Sequence, residues 1–434
     1  MGGWNADIFV ITLTRPLVKP RSRSVAGVTR RLVEVLNKYG RFASDIKCMI
    51  WRRRLLKIGG VFVATIVLLV GMLVAYVGLS SHQPVVLPQP TGNYQVGRSV
   101  YDWVDPSRLD PFSAEGKTPR ELSVWVWYPA DPASNATPSA YLPADWAQGL
   151  QLGVVQSFIQ TSPTLIRPHS FDDAPFAAGA HNPPILIFAP GLGLAAYDYT
   201  TTLEDLASHG YVVFAINPTY STDVVLTGGR FISSVNRARG GNADLNQLVE
   251  LWAADMHFVL SRVQLLDTDS ADRFAGHLNA SHVGFFGHSL GGAAAAEACF
   301  DDASCAGAVD EDGSLCCKVV SQGIGKSFLF VGSQDTLDQP TRAQLRGVLR
   351  NDSNIAGHVM TITGTGHFNF SDRGIYFFFL LHQLGAVGSI DGVRALVVTD
   401  TYLRAFFDAS FGGLPSPLLA GPSAEYPEVH FETP

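Results

Sequence analysis

The 434-residue chain is 47% apolar and carries 31 Lys and Arg against 38 Asp and Glu, a formal net charge of −7. That length accommodates one large core, or two smaller ones. Outside the N-terminus the chain lacks the basic field that tracks a phosphate backbone, so no nucleic-acid partner is expected.

The N-terminus has its own composition. Residues 1–57 are basic and end in "WRRRLLK", and from Ile58 to Leu79 no residue is charged. About 20 apolar residues cross a bilayer core, so 58–79 reads as a transmembrane signal-anchor. The positive-inside rule keeps residues 1–57 cytoplasmic and sends the rest of the chain across the membrane. A cleaved signal peptide fits less well, because the apolar run exceeds the usual h-region of about 7–15 residues. Residues 80–97, rich in Pro, Ser and Gly, read as a linker, and 98–434 as the globular domain.

Strand-like runs follow around Asp102 and at "LSVWVWYPA" (122–130), the latter read as alternating apolar and polar. Residues 131–180 form a looser insertion with a helical pattern near "ADWAQGLQLGVVQSFI". From Pro184 strands and helices alternate. "PILIFAP" and "YVVFAIN" flank the helix "DYTTTLEDLASHG", and a long helix spans about 244–266. "HVGFFG", "CAGAVDED", "SFLFVG" and "HVMTITG" are further strands, and the helical patterns "LGGAAAAEACF" and "PTRAQLRGVLR" lie among them. A terminal helical region covers about 373–411. Such alternation predicts an α/β fold with a mostly parallel sheet and helices on both faces.

Within this pattern "VGFFGHSLGGAAAAEA" (283–298) contains Gly-x-Ser-x-Gly, which arises by chance about 0.3 times in a chain of this composition. Its setting is what distinguishes it. A strand precedes Ser289 and a helix follows, which lifts the hydroxyl above the sheet edge and puts the next N–H at the positive end of a helix. A serine nucleophile needs a base, an acid that orients the base, and donors for the oxyanion. In hydrolases of this type the acid and then the histidine follow the serine. His367, in the loop of "ITGTGHFNFSD", is the candidate base. His358 at a strand start, His382 in an apolar helix and His288 inside the motif read as structural. The glycine-rich turn "APGLGLAAYD" (189–198) makes the Leu192 amide a candidate oxyanion donor beside that of Leu290. For the acid, Asp310, Glu311 and Asp312 stand at one strand end and Asp335 and Asp338 after the next, and the common arrangement favours Asp335.

"PILIFAPGLGLAAYDYTTTLEDLASHGYVVFAIN", with "VWVWYPA", "GHSLGG", "DEDGSL" and "GHFNFSD", resembles the plasma-type platelet-activating-factor acetylhydrolases and their microbial relatives over about residues 92–410. The resemblance implies an α/β-hydrolase fold and a calcium-independent serine esterase without a cofactor. It moves the acid to Asp312, with Asp310 left open, and matches His367 to the family's histidine loop. It also implies short or oxidised acyl chains of phospholipids, or broader esters in microbial members, as substrates. Two alternatives are a non-catalytic hydrolase-fold binding domain and a polyester, cutinase-like or general carboxylesterase activity. The run "IYFFFLL" (375–381) is a candidate lipid contact, or else a buried helix.

Cys48 precedes the apolar run, whereas Cys299, Cys305, Cys316 and Cys317 cluster. In an oxidising compartment Cys305 is expected to pair with Cys316 or Cys317, and no usual zinc-ligand spacing occurs. Asn135, Asn279, Asn351 and Asn369 begin glycosylation sequons, of which Asn369 stands too near His367 to be modified.

Overall fold

A computed structural model describes residues 25–150, 161–238, 244–350, 357–376, 387–412 and 415–433. The chain divides into two units, up to Ala75 and from Tyr76 onward. Helix α1 (Val25–Ser81) carries the uncharged run and the basic residues before it without interruption. Its most apolar 18-residue window has a mean hydropathy of 2.7 and no buried residue. By length and composition it is able to cross a bilayer, a property shared by membrane spans and signal sequences.

Residues 80–97 are not a free linker, which corrects the sequence reading. Val85 and Val86 pair in parallel with Ile166 and Arg167, and Leu87 is buried. Both the N–H and the hydroxyl of Thr91 donate to Asp205 Oδ1 at 2.8 Å. Gly92 N–H donates to Ser208 Oγ at 2.9 Å. The prolines keep this stretch extended, and extended backbone offers donors that the folded domain satisfies.

The second unit is organised by a ten-stranded sheet. In chain order its strands are β1 (Gln95–Leu109), β2 (Pro119–Ala130), β3 (Phe171–Asp172), β4 (Ile185–Ala189) and β5 (Val212–Pro218). They continue with β6 (Val283–His288), β7 (Cys305–Glu311), β8 (Ser327–Ser333), β9 (Gly357–Ile362) and β10 (Val429–Phe431). Across the sheet the order is β10-β9-β8-β7-β6-β4-β5-β2-β1-β3. The run from β9 to β5 is parallel, whereas β2 pairs antiparallel with both β1 and β5. Central β6 lies between β4 and β7, with Phe286 opposite Phe188 and Val309.

Strands buried on both faces are apolar at every position rather than at alternate ones. Accordingly β4 and β6 are buried throughout. "LSVWVWYPA" in β2 departs from its expected half-buried alternation: every residue from Leu122 to Ala130 is buried. Val124, Val126 and Tyr128 face one core cluster, and Trp125 and Trp127 face the other. The first cluster is covered by α3 (Leu245–Thr268) and α4 (Leu290–Asp301). The second is covered by α2 (Thr200–Ser208) and α6 (Gly392–Gly412). Helix α5 (Gln339–Val348) follows β8.

The expected terminal helical region contains a short turn, Arg373–Tyr376, and α6. The remainder of "IYFFFLL", His382, Asn351 and residues 151–160 of the expected insertion helix lie outside the described residues. The cysteine pairing also differs from expectation. Cys305, the first residue of β7, bonds to Cys299 in the last turn of α4, with Cα atoms 5.3 Å apart. Cys316 and Cys317 bond to each other.

Candidate active site

Strand β6 ends at His288 and α4 begins at Leu290, so Ser289 alone makes the turn, at φ 58° and ψ −122°. A non-glycine residue there carries strain of about 1–3 kcal/mol, which surrounding bonds must hold. Ser289 N–H donates to Glu311 O at 2.8 Å. Its carbonyl accepts from Gly292 and Ala293 at 3.1 and 3.3 Å. Glycine is required at both flanks. A Cβ on Gly287 would stand 2.5 Å from Ala189 O, and one on Gly291 2.1 Å from the same atom. The N-terminus of α4 therefore abuts the end of β4, the point from which the loop carrying Leu192 departs.

Three side chains meet at this turn. His367, which opens a short helical turn after β9, has Nε2 3.0 Å from Ser289 Oγ. Its Nδ1 lies 2.7 Å from Asp312 Oδ2. A carboxylate only accepts, so Nδ1 carries the proton and Nε2 offers its lone pair to the serine hydroxyl. Asp312 stands just beyond β7 at φ 58°. Its N–H donates to Val331 O at 2.9 Å, and its Oδ1 accepts from Ser333 N–H at 2.7 Å. The end of β8 thus orients the carboxylate. The Asp312 side chain is 3% exposed and that of His367 41%, so the carboxylate is sheltered and the imidazole open to an incoming molecule.

The other carboxylates are not at the histidine's ring. Asp310 lies under α4, where a Cβ on Gly292 would stand 2.0 Å from its Oδ1. That oxygen accepts from Gly313 N–H at 2.9 Å. Burial, and then the Asp312 charge, hold the Asp310 carboxyl well above the usual range. Burial likewise raises Glu311. Asp335, favoured by the residue pattern alone, is exposed on the turn after β8, and Asp338 caps α5 by accepting from Thr341 N–H at 2.8 Å. The pattern misleads because it locates a strand end but not the direction in which each side chain leaves it.

Leu290 is the first residue of α4, where an N–H has no partner within the helix. Leu192 follows β4 in a loop closed by a Leu194 N–H to Gly191 O bond of 3.0 Å. His288 is fully buried, as the sequence predicts, and both ring nitrogens are hydrogen-bonded. His358 sits in β9, where burial lowers its pKa. Among the described residues no group of His, Cys, Asp and Glu is arranged to hold a metal ion.

Sequence reasoning overlooked the buried network behind His367. Asp198 accepts from Tyr376 Oη at 2.9 Å, Arg373 Nε at 3.1 Å and Ala195 N–H at 3.0 Å. Asp372 N–H donates to Asp198 O at 2.7 Å. Its carboxyl, pushed up to about 8 by burial, is held by Tyr141 Oη at 3.0 Å and Thr201 N–H at 3.2 Å. The polar letters of "AAYDYT" and "FSDRG" were the only signal for it. Asn369 is buried, with Oδ1 accepting from Gly366 and Gly388, so its sequon is closed in the folded protein.

The fold is similar to that of a ferulic acid esterase from Streptomyces cinnamoneus, with a TM-score of 0.67 and 27% identity over 80% of this chain and 99% of that one. The sheet order, the strand–Ser–helix turn and this likeness define the class: a carboxylic-ester hydrolase of the α/β-hydrolase fold. A probable 1-alkyl-2-acetylglycerophosphocholine esterase from Arthroderma benhamiae is 26% identical over 387 residues, 80% of this chain and 93% of the relative. The family described as platelet-activating factor acetylhydrolase, isoform II, matches residues 79–221 and 255–412, and the chain belongs to it.

Proposed function

We propose that Ser289, His367 and Asp312 form the catalytic triad of a membrane-anchored serine esterase. The observation that carries this reading is the unbroken line from Asp312 Oδ2 through His367 to Ser289 Oγ, with contacts of 2.7 and 3.0 Å, ending on a serine in a strained turn. Ser289 Oγ attacks the ester carbonyl carbon while His367 Nε2 takes its proton. The oxyanion receives the N–H groups of Leu192 and Leu290. His367 then protonates the departing alcohol, leaving an acyl-Ser289. It next takes a proton from water, whose oxygen attacks the acyl carbon, and returns that proton to Ser289 Oγ as the acid is released. Asp312 stabilises the imidazolium formed in each half.

The substrates are small esters: short-chain acyl esters or the sn-2 acyl groups of phospholipids, in keeping with the name of the Arthroderma relative. A broader carboxylesterase that accepts aryl esters is the second reading, favoured by the ferulic acid esterase likeness. Residues 58–79 of α1 anchor the protein as a single span, with 1–57 cytoplasmic and the hydrolase domain outside, near lipid. The uncharged run and the basic residues before it support this orientation.

An organophosphate probe is expected to label wild-type protein at Ser289, and Ser289→Ala is expected to abolish hydrolysis. Full hydrolysis by Ser289→Ala overturns the triad. A panel of acetyl-to-decanoyl esters, a 2-acetyl phospholipid and methyl ferulate separates the two substrate readings by kcat/KM. Protease treatment of sealed vesicles tests the topology, which fails if residues 1–57 and the hydrolase domain are cleaved from the same side.

A further inference from the structure

His288 occupies the variable position of Gly-x-Ser-x-Gly, and its hydrogen bonds run through both loops of the site. Gly191 N–H, one residue before Leu192, donates to Tyr199 Oη at 2.9 Å. Tyr199 Oη lies 2.8 Å from His288 Nδ1, and His288 Nε2 lies 2.9 Å from the main-chain oxygen of His367. The direction of the chain is unique. A carbonyl only accepts, so Nε2 carries the imidazole proton and Nδ1 offers a lone pair. Tyr199, already accepting from Gly191, gives its own proton to that lone pair.

Each link is enclosed. Tyr199 is 1% exposed and His288 fully buried. The Tyr199 ring packs on Phe188 at 4.7 Å between centroids, and Phe188 on Phe286 at 4.8 Å. Gly191 leaves the room this requires, since a Cβ there would stand 2.9 Å from His288 Nδ1 and 3.2 Å from Tyr199 Oη. Burial, and then the neighbouring His367, hold the His288 pKa well below the usual imidazole range, and burial holds Tyr199 well above that of a phenol. The chain therefore keeps its polarity while the His367 ring, 4.5 Å away, gains and loses a proton.

We infer that Tyr199 and His288 are positioning residues, which tie the oxyanion loop at Gly191 to the backbone of His367 so that donors and base hold one geometry relative to Ser289. The inference rests on the triad reading above. Neither side chain exchanges a proton with substrate. A shift of about 1 Å in such a geometry lowers rates by up to about 100-fold, which sets the scale of the effect.

The two arms are separable by substitution. The amide nitrogen of Gln superimposes on imidazole Nε2 and reaches the His367 carbonyl, whereas the amide of Asn lies at Nδ1 and does not. With p-nitrophenyl acetate and the full chain, His288→Asn is expected to lower kcat about 10- to 100-fold with KM within about twofold. His288→Gln keeps the bond to the His367 carbonyl but offers Tyr199 no acceptor at the Nδ1 position, so its kcat is expected to fall about 10-fold, as in Tyr199→Phe. Tyr199→Phe, which strips Gly191 of its acceptor, is expected to lower kcat about 10-fold with KM unchanged. Far-UV circular dichroism and thermal unfolding certify that each variant is folded, and organophosphate titration counts its sites. Wild-type kcat in any of the three variants, or a loss expressed in KM alone, would overturn the inference. If His288→Asn does not fold, Tyr199→Phe decides the matter from the other end of the chain. The Ser289→Ala control keeps the two ideas apart. Activity retained there sinks the triad, whereas an inactive control beside fully active Tyr199 and His288 variants sinks only the positioning role.

Discussion

Replacing Asp312 by Asn tests which carboxylate serves His367. Asp312 Oδ1 accepts from Ser333 N–H at 2.7 Å, so the carbonyl oxygen of an Asn must keep that position and its NH2 must face His367 Nδ1. Two donors cannot share that bond. The imidazole accordingly moves its proton to Nε2, which then points a hydrogen at Ser289 Oγ across 3.0 Å and no longer accepts one. A wrong tautomer of this kind lowers kcat by about 10³–10⁴, equivalent to about 4–5.5 kcal/mol of transition-state stabilisation. The assay is kcat on p-nitrophenyl acetate per folded site, with Asp335→Asn and Asp310→Asn beside it. Exposed Asp335 is expected to tolerate the change. Asp310 is fully buried and accepts from Gly313 N–H rather than from His367, so Asn there costs mainly stability rather than turnover. An Asp312→Asn enzyme within about tenfold of wild type, with either control worse, refutes the argument.

Other consequences concern the framework. The unfolded chain releases the Asp372 proton near 3.8, whereas the folded protein keeps it to about 8. Stability should therefore be greatest below that window and fall as pH rises through it, by at most about 1.4 kcal/mol per pH unit. Asp372→Asn, which resembles the protonated form, should flatten this loss between pH 6 and 8 in urea unfolding, and identical slopes would exclude Asp372 as its source. Arg120 is fully buried between Asp110 and Asp255, each at 2.6 Å. Arg120→Met leaves Asp110 without its cation and Asp255 with Arg108 alone, and should destabilise the domain by about 3–5 kcal/mol, read as a lower Tm, and an unchanged Tm would contradict this. Gly291→Ala drives a methyl against Ala189 O and should lower stability by about 1–3 kcal/mol together with kcat, whereas a wild-type-like variant would mean that α4 has slack at its N-terminus.

Much of the architecture is written in local pattern. The alternation of apolar strands with amphipathic helices predicts β4, β5, β6 and the helices between them nearly residue by residue, because backbone period and burial are properties of a short stretch. The Ser289 turn is legible for the same reason: strand, Gly-His-Ser-Leu-Gly and small-residue helix are contiguous. His367 is legible through its loop and its order in the chain. The apolar run in α1 needs only composition.

Tertiary structure decided what depends on direction and on distant partners. Successive strand residues point to opposite faces, so Asp310 and Glu311 diverge, and the turn at Asp312 carries its carboxylate to a histidine 55 residues away. The Tyr199–His288 bond spans 89 residues. The docking of residues 85–92 and the closing of Cys305 onto Cys299 are likewise products of packing. One-dimensional pattern records which residues seek the interior. It carries no record of which side chains meet there, because that follows from the stacking of whole elements.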